Sequence, residues 1–196
     1  MDAHSRTRLL NNGLRLEYAT LVWNVVGVVL VLWAAFAAKS VALVGFGLDS
    51  LIEIVASIIV VWQLTGVDSH REQRGLRLIG AAFFALAVYV LVQSSYVLML
   101  QLRPSPSPGG MAWLALTVIV MLALAYGKHI TGDKLANPVL STEARVTLID
   151  AILAFAVLLG LALNAGVGWW WADPIAGLII VYYGFCEGFH TWNEGA

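Results

Sequence analysis

The segment GFGLDSLIEIVAS, residues 45–57, places two carboxylic acids, Asp49 and Glu53, inside a run that is otherwise apolar. The whole chain has the same character, since 60% of its 196 residues are hydrophobic and 12% are charged. Soluble proteins carry about 25% charged residues. The composition therefore predicts an integral membrane protein, and the segment raises the question of why two acids lie within a membrane-spanning helix.

Six apolar stretches divide the chain, each of about the length that crosses the hydrocarbon core of a bilayer as a helix. They cover residues 18–38, 41–65, 77–101, 111–128, 143–165 and 172–192. Of the links between them, RPSPSPGG is typical of a turn, and GKHITGDKLANPVLST, residues 127–142, is the longest and most polar. We therefore expect an all-α membrane protein with one six-span transmembrane domain over residues 1–196 and no C-terminal cytoplasmic domain.

The distribution of basic residues predicts the orientation. Nine of the 11 Lys and Arg residues fall on the side of the chain termini, and an excess of basic residues marks the cytoplasmic side of membrane proteins. We expect both termini in the cytoplasm of a multi-pass protein of the plasma (inner) membrane. The net charge of −1, without a basic cluster, argues against a nucleic-acid partner.

The acids within the spans are the candidate functional residues. Asp49 and Glu53 are four residues apart and so share one face of a helix, and Asp150 is predicted at a similar depth in the fifth span. An acid at the centre of a span costs about 2.5 to 3.5 kcal/mol on insertion scales. Because no cationic residue lies on the second span, a proton or a bound cation must neutralise the pair. The residues alone leave two interpretations open, a cation site and protonated acids that hold helices together.

A cation site made by these acids would consist of oxygen ligands. We predict Asp49, Glu53 and Asp150 as the ligands. Small polar residues of the first, second and fifth spans are weaker candidates, namely Asn24, Ser50 and Thr147.

Other polar residues have simpler explanations. Glu143 is favourably placed at the N-terminal end of the fifth helix, although it also lies on the cytoplasmic approach to Asp150. Asp173 before Pro174 is typical of a helix N-cap. Lys128 and His129 end the fourth span, where an interfacial position is expected.

Three segments carry a resemblance to a known family. SVALVGFGLDSLIEIVAS (residues 40–57), LIDAILAFAVLLG (148–160) and WWWADPIAGLIIVYYGFCEGFHTW (169–192) resemble the second, fifth and sixth spans of the cation diffusion facilitator family. The resemblance implies a homodimeric exporter of divalent metal, coupled to inward proton movement. The chain departs from the family pattern at Val146, where the fifth span usually provides a further ligand.

These observations predict a divalent metal transporter that exports its cargo by metal/proton exchange through a carboxylate site at the membrane midplane. Its partners would be divalent cations, protons and the lipid bilayer. The cargo would be Zn²⁺, Co²⁺, Mn²⁺ or Fe²⁺, since oxygen donors favour the last two and the resemblance favours the first two. No motif of an enzyme and no organic cofactor is expected. The alternatives are a non-transporting membrane subunit and a metal-binding sensor.

Overall fold

The computed structural model of the chain describes residues 3–64, 69–136 and 138–194. Within these ranges all the regular structure is helical, as predicted. Six helices follow one another: α1 (Ala3–Ala38), α2 (Val41–Leu64), α3 (Ser69–Leu100), α4 (Pro108–Leu135), α5 (Pro138–Val167) and α6 (Ala172–Glu194).

The chain is an integral membrane protein. Four of the helices, α1, α3, α4 and α5, contain segments that are long and apolar enough to cross a bilayer. Helices α2 and α6, which carry Asp49, Glu53 and Asp173, are not among the four found in the described residues. That all six helices span the membrane, with both termini in the cytoplasm, stays a prediction.

The connections differ from the sequence prediction at one place. Residues 127–142 were expected to form the longest polar link, but α4 continues to Leu135 and α5 begins at Pro138. Ala136 ends α4 in the left-handed conformation, and its N–H donates to the carbonyl of Asp133 at 3.1 Å. Helix propensity and packing thus override polarity, which is a weak indicator of a loop. The proline-rich link is shorter than predicted, since α4 already begins at Pro108, and Ser107 caps α4 by accepting from the N–H of Gly110 at 3.3 Å.

Helix α2 lies at the centre of the bundle. The most extensive contacts are between α4 and α5, between α3 and α6, and between α1 and α2. Helix α2 also contacts α3, α5 and α6, so it touches four of the other five helices. This position explains why its polar residues are buried.

Glycines allow α3 and α6 to approach closely. A Cβ atom at Gly80 would lie 3.0 Å from the carbonyl oxygen of Gly188 and from the backbone nitrogen of Trp192. A larger residue would force the two backbones apart. Small residues at helix crossings are a common solution in membrane proteins, where close packing replaces the hydrophobic effect between helices.

The bundle has two distinct ends. At one end lie the links between α1 and α2, between α3 and α4, and between α5 and α6; we call it the loop end. The N–H of Ser105 donates there to the carbonyl of Ala38 at 2.8 Å, and the Asn164 side chain donates to the carbonyl of Pro104 at 2.9 Å. The opposite end, where α1 begins and α6 ends, is the terminal end.

Asp173 holds the loop end together, but not as the sequence suggested. It lies within the first turn of α6, which begins at Ala172, and its carboxylate accepts from the N-terminal N–H groups of α2. The donors are the N–H of Val41 at 3.1 Å, the N–H of Ala42 at 3.5 Å and the hydroxyl of Ser40. The first backbone N–H groups of α2 have no acceptor within their own helix, and a residue of α6 thus provides one.

Replacement of Asp173 by alanine should lower the free energy of unfolding by about 2 kcal/mol, because three buried donors lose their acceptor. Reversible unfolding in mixed detergent micelles measures this change. The matched control is Asp133→Ala, since Asp133 is exposed and its carboxylate pairs with exposed His129. Equal stability of the two variants would contradict the capping role.

Candidate cation site

Polar side chains form a stripe on each of three helices. Members of a stripe are three or four residues apart, so they share a face of their helix. The stripes consist of Glu17, Thr20 and Asn24 on α1, of Asp49, Glu53 and Ser57 on α2, and of Glu143, Thr147 and Asp150 on α5. All nine residues are buried. The three stripes face the interior of the bundle, where they form one polar column.

The middle of this column holds the three predicted ligands, Asp49, Glu53 and Asp150, which we call the central carboxylates. Their exposure is 1%, 3% and 1%, respectively. Each of them is close enough to the other two for their charges to interact. The structure therefore brings together, from α2 and α5, the residues that the sequence singled out.

The central carboxylates differ in how well their oxygens are satisfied. Glu53 Oε2 accepts a hydrogen bond from Asn24 Nδ2 at 2.8 Å. By contrast, Asp49 Oδ1 and both carboxylate oxygens of Asp150 have no hydrogen-bond partner among the described residues. A buried acceptor without a donor is costly, particularly if it is charged. These oxygens can be satisfied by a proton or by a cation.

The described residues do not form a finished metal site in this conformation. Among the residues that the structure describes, no group of three His, Cys, Asp or Glu side chains is arranged to hold a metal ion. Binding of a metal by all three central carboxylates thus requires them to move together, and it stays a prediction.

The weaker candidates divide into two groups. Asn24 lies at the central carboxylates through its bond to Glu53. Ser50 donates its hydroxyl to the carbonyl of Phe46 at 3.1 Å, a bond within its own helix. Glu143 and Thr147 lie nearer to the terminal end, and their oxygens are already used by a lysine.

That lysine is Lys128, and its expected interfacial position is wrong. Its ammonium is fully buried and donates to Glu17 Oε2 at 3.1 Å, to Glu143 Oε1 at 3.3 Å and to Thr147 Oγ1 at 3.1 Å. Ser57 on α2 also donates to Glu143 Oε1, at 3.5 Å. We call these five residues the terminal-end cluster. It joins α1, α2, α4 and α5.

The explanation of Glu143 as a residue of the N-terminal turn is also wrong. Helix α5 begins five residues before it, at Pro138, so Glu143 lies in the second turn and its carboxylate binds Lys128. His129 does lie on the surface, where it is 3.5 Å from Asp133. Adjacent residues of α4 therefore face opposite environments.

Sequence reasoning missed Glu17 altogether. One signal was present, since Glu17, Thr20 and Asn24 continue a single helical stripe into the first predicted span. The pairing of Glu17 with Lys128, 111 residues apart, has no counterpart in local sequence.

Comparison with known proteins finds relatives by sequence. No protein-family model matches the chain. Transmembrane protein 163 of Xenopus laevis is 26% identical over 151 residues, which make up 71% of this chain and 53% of the relative. The chain thus spans about half the length of this relative. The name of the relative agrees with an integral membrane protein.

These findings correct the resemblance suggested by the sequence. The assignment to the cation diffusion facilitator family is wrong, because no family model matches and the relative carries a different description. The quoted segments combine small residues with acids in a helical pattern, and any helix that buries acids against close neighbours needs that combination.

The terminal-end cluster generates a prediction on stability. Lys128→Met leaves two buried carboxylates without their cation and should lower the free energy of unfolding by about 3 kcal/mol. Addition of Glu17→Gln should restore at least half of this loss, because one unpaired acid is removed. Thermal unfolding of the purified variants in detergent measures both effects. An additive loss in the double variant would show that the two side chains are not coupled.

Proposed function

We propose that the protein transports a divalent metal cation across the membrane in exchange for protons, through the central carboxylates. The observation that carries the proposal is the set of unpartnered carboxylate oxygens of Asp49 and Asp150, on two different helices in the interior of the bundle. Acids within membrane proteins commonly mark ion pathways or proton relays.

The balance of charge supports exchange with protons. The described residues include six buried carboxylates, and all but Asp173 lie in the polar column, together with the one buried ammonium of the described residues, that of Lys128. Full ionisation would leave four negative charges in a medium of low dielectric constant, which is prohibitively costly. Protons or metal cations must therefore be bound, and arrival of one kind of cation displaces the other.

The position of α2 supports a moving site. Asp49 and Glu53 are fixed to α2, and Asp150 is fixed to α5, so a shift between these helices changes the distance between the carboxylates. In this conformation they do not converge on one point. Closure around a divalent cation would bring them together, and protonation would let them separate.

The donor set favours a hard cation. The central carboxylates and the amide of Asn24 offer oxygen ligands, which suit Mn²⁺ better than the softer transition metals. Fe²⁺ is the next candidate. Zn²⁺ and Co²⁺ were suggested chiefly by the family resemblance, which is wrong, and now stand behind Mn²⁺. Export from the cytoplasm is part of the proposal and depends on the predicted orientation.

A second function has support from a different observation. The terminal-end cluster shows that buried acids of this chain do hold helices together. If the central carboxylates are protonated and act in the same way, the protein is a non-transporting membrane subunit or a sensor.

Flux measurements in proteoliposomes separate the two functions. We expect uptake of Mn²⁺ or Fe²⁺ that depends on an imposed pH gradient. The combined change Asp49→Asn, Glu53→Gln should reduce this flux by about 100-fold or more, because two of the three acids of a proton-coupled site are lost. Entrapped metal-sensitive dye reports the flux, with Zn²⁺ and Co²⁺ as further cargoes.

Asp133→Asn is the matched control, since it removes an exposed carboxylate of α4 and should leave the flux unchanged. If no metal moves and the double variant merely unfolds at a lower temperature, the acids serve helix packing and the proposal fails.

A further inference from the structure

The terminal-end cluster lies on the route from the central carboxylates to one side of the membrane. On α5, Glu143 and Thr147 precede Asp150 by two turns and one turn. On α2, Ser57 follows Glu53 by one turn, and α2 runs toward the terminal end. Two helices of opposite direction thus place the cluster on the same side of the central carboxylates.

The first helix gives the same placement. Glu17 precedes Asn24 by two turns, and α1 begins at the terminal end. Glu17 contacts Lys128, whereas Asn24 contacts Glu53. The polar column therefore has two levels, and the ammonium of Lys128 lies in the level nearer to the terminal end.

The level nearer to the terminal end has the ligands of a cation-binding site. Two carboxylates, of Glu17 and Glu143, and the hydroxyl of Thr147 surround the ammonium within 3.3 Å. Ser57 adds a hydroxyl next to Glu143. Oxygen atoms of these types also bind metal ions. The ammonium thus occupies a place that a free cation could take.

The cluster is not fully satisfied by the lysine. Glu17 is completely buried, and its Oε1 has no hydrogen-bond partner among the described residues. Two acids share one ammonium, so the lysine does not neutralise them both. A permanent structural ion pair would be expected to satisfy all of its buried oxygens. This unused acceptor indicates a group that exchanges partners.

We propose that Lys128 is a tethered cation that closes the terminal end of the pathway, in a second cation position made by Glu17 and Glu143. This inference rests on the proposed function and adds a residue to it. While the ammonium is in place, it repels a metal ion that approaches the central carboxylates, and it ties α1 to α5. When the ammonium moves away, the position accepts the transported divalent cation, and the central carboxylates open toward the terminal end.

Electrostatics link the two levels. The charge of Lys128 interacts with those of Glu53 and Asp150 as well as with those of its direct partners. A divalent cation at the central carboxylates would therefore repel the ammonium and weaken the closure. Occupancy of the central carboxylates thus shifts the terminal end between its closed and its open form.

Thiol labelling tests the closure directly. The reporter is Asn24→Cys, which contacts Glu53 in the parent chain, in a background with Cys186→Ser to remove the native cysteine. A cationic, membrane-impermeant methanethiosulfonate is applied to sealed vesicles, separately from each side. A protease-cleavable tag on the N terminus identifies the terminal side.

Lys128→Met should raise the labelling rate from the terminal side roughly tenfold, because removal of the tie shifts the population toward the form open at that end. Labelling from the loop side should fall or stay constant. The matched control is Lys134→Met, which removes an exposed lysine from the last turn of α4 and should change neither rate.

The single variant Lys128→Met could lose its fold, because two buried acids are left without their cation. The double variant Glu17→Gln, Lys128→Met is a second test that is less destabilised, since it removes one of these acids together with the lysine. It should show the same one-sided increase. Unchanged rates in both variants, or an equal increase from both sides, would overturn the proposal, because the second outcome reports a loosened bundle.

The labelling experiment is independent of the flux experiment, because labelling needs no transported ion. Failure of the closure and failure of the proposed function can therefore be told apart. One-sided opening without flux of any metal would remove the metal from the proposal on function and leave Lys128 as the closure of a water-filled path. Flux without one-sided opening would keep the transporter and reject the closure.

Discussion

A carboxylate between helices in a bilayer must be neutralised by a proton, a cation or hydrogen-bond donors, because water is not available there. The interior of this bundle depends on how five acids meet that requirement. Lys128 neutralises part of the charge and binds Glu17 on α1 and Glu143 on α5. Asn24 satisfies one oxygen of Glu53. The arrangement of α1, α2, α4 and α5 follows from these contacts as much as from apolar packing.

The two ends of the bundle meet the requirement in different ways. At the loop end, Asp173 accepts from a hydroxyl and from backbone N–H groups at the start of α2, and both of its oxygens are used. Backbone donors at a helix end cannot leave without unfolding the helix. At the terminal end the donor is a long lysine side chain, and an oxygen of Glu17 is unused. The terminal end is therefore the one at which a change of partners costs less.

The fold was largely predictable from sequence, and the site only in part. Six apolar stretches predicted six helices, and the described residues form six helices over the same parts of the chain. The spacing of Asp49 and Glu53 gave one face of α2, because helical periodicity is a local property. Lys128 was misplaced for the opposite reason. At the end of an apolar run a lysine can extend to the membrane surface or turn inward, and the choice depends on Glu17 and Glu143, which are distant in sequence.

The polarity of residues 127–142 was equally misleading as an indicator of a long link between helices. Residues 127–142 are polar because they combine the exposed His129 and Asp133 with the buried Lys128 of the terminal-end cluster. A helix with such a mixed surface has no simple hydrophobic pattern, so its ends cannot be read from composition. The resemblance to the cation diffusion facilitator family was misleading for a related reason. Acids and small residues occur together on a buried helix because of general packing requirements, so they do not identify a family.

Helix α2 connects the central carboxylates with both ends of the bundle. It carries two of the central carboxylates and Ser57, and it contacts α1, α3, α5 and α6. Asp173 fixes its loop end through backbone N–H groups, and nearer to the terminal end the hydroxyl of Ser57 contacts Glu143 of the cluster at 3.5 Å. The backbone bonds cannot break without unfolding the start of α2, whereas the side-chain contact can, so α2 can tilt about its loop end. Such a tilt would change the distance from Asp49 and Glu53 to Asp150 while the loop end stayed closed.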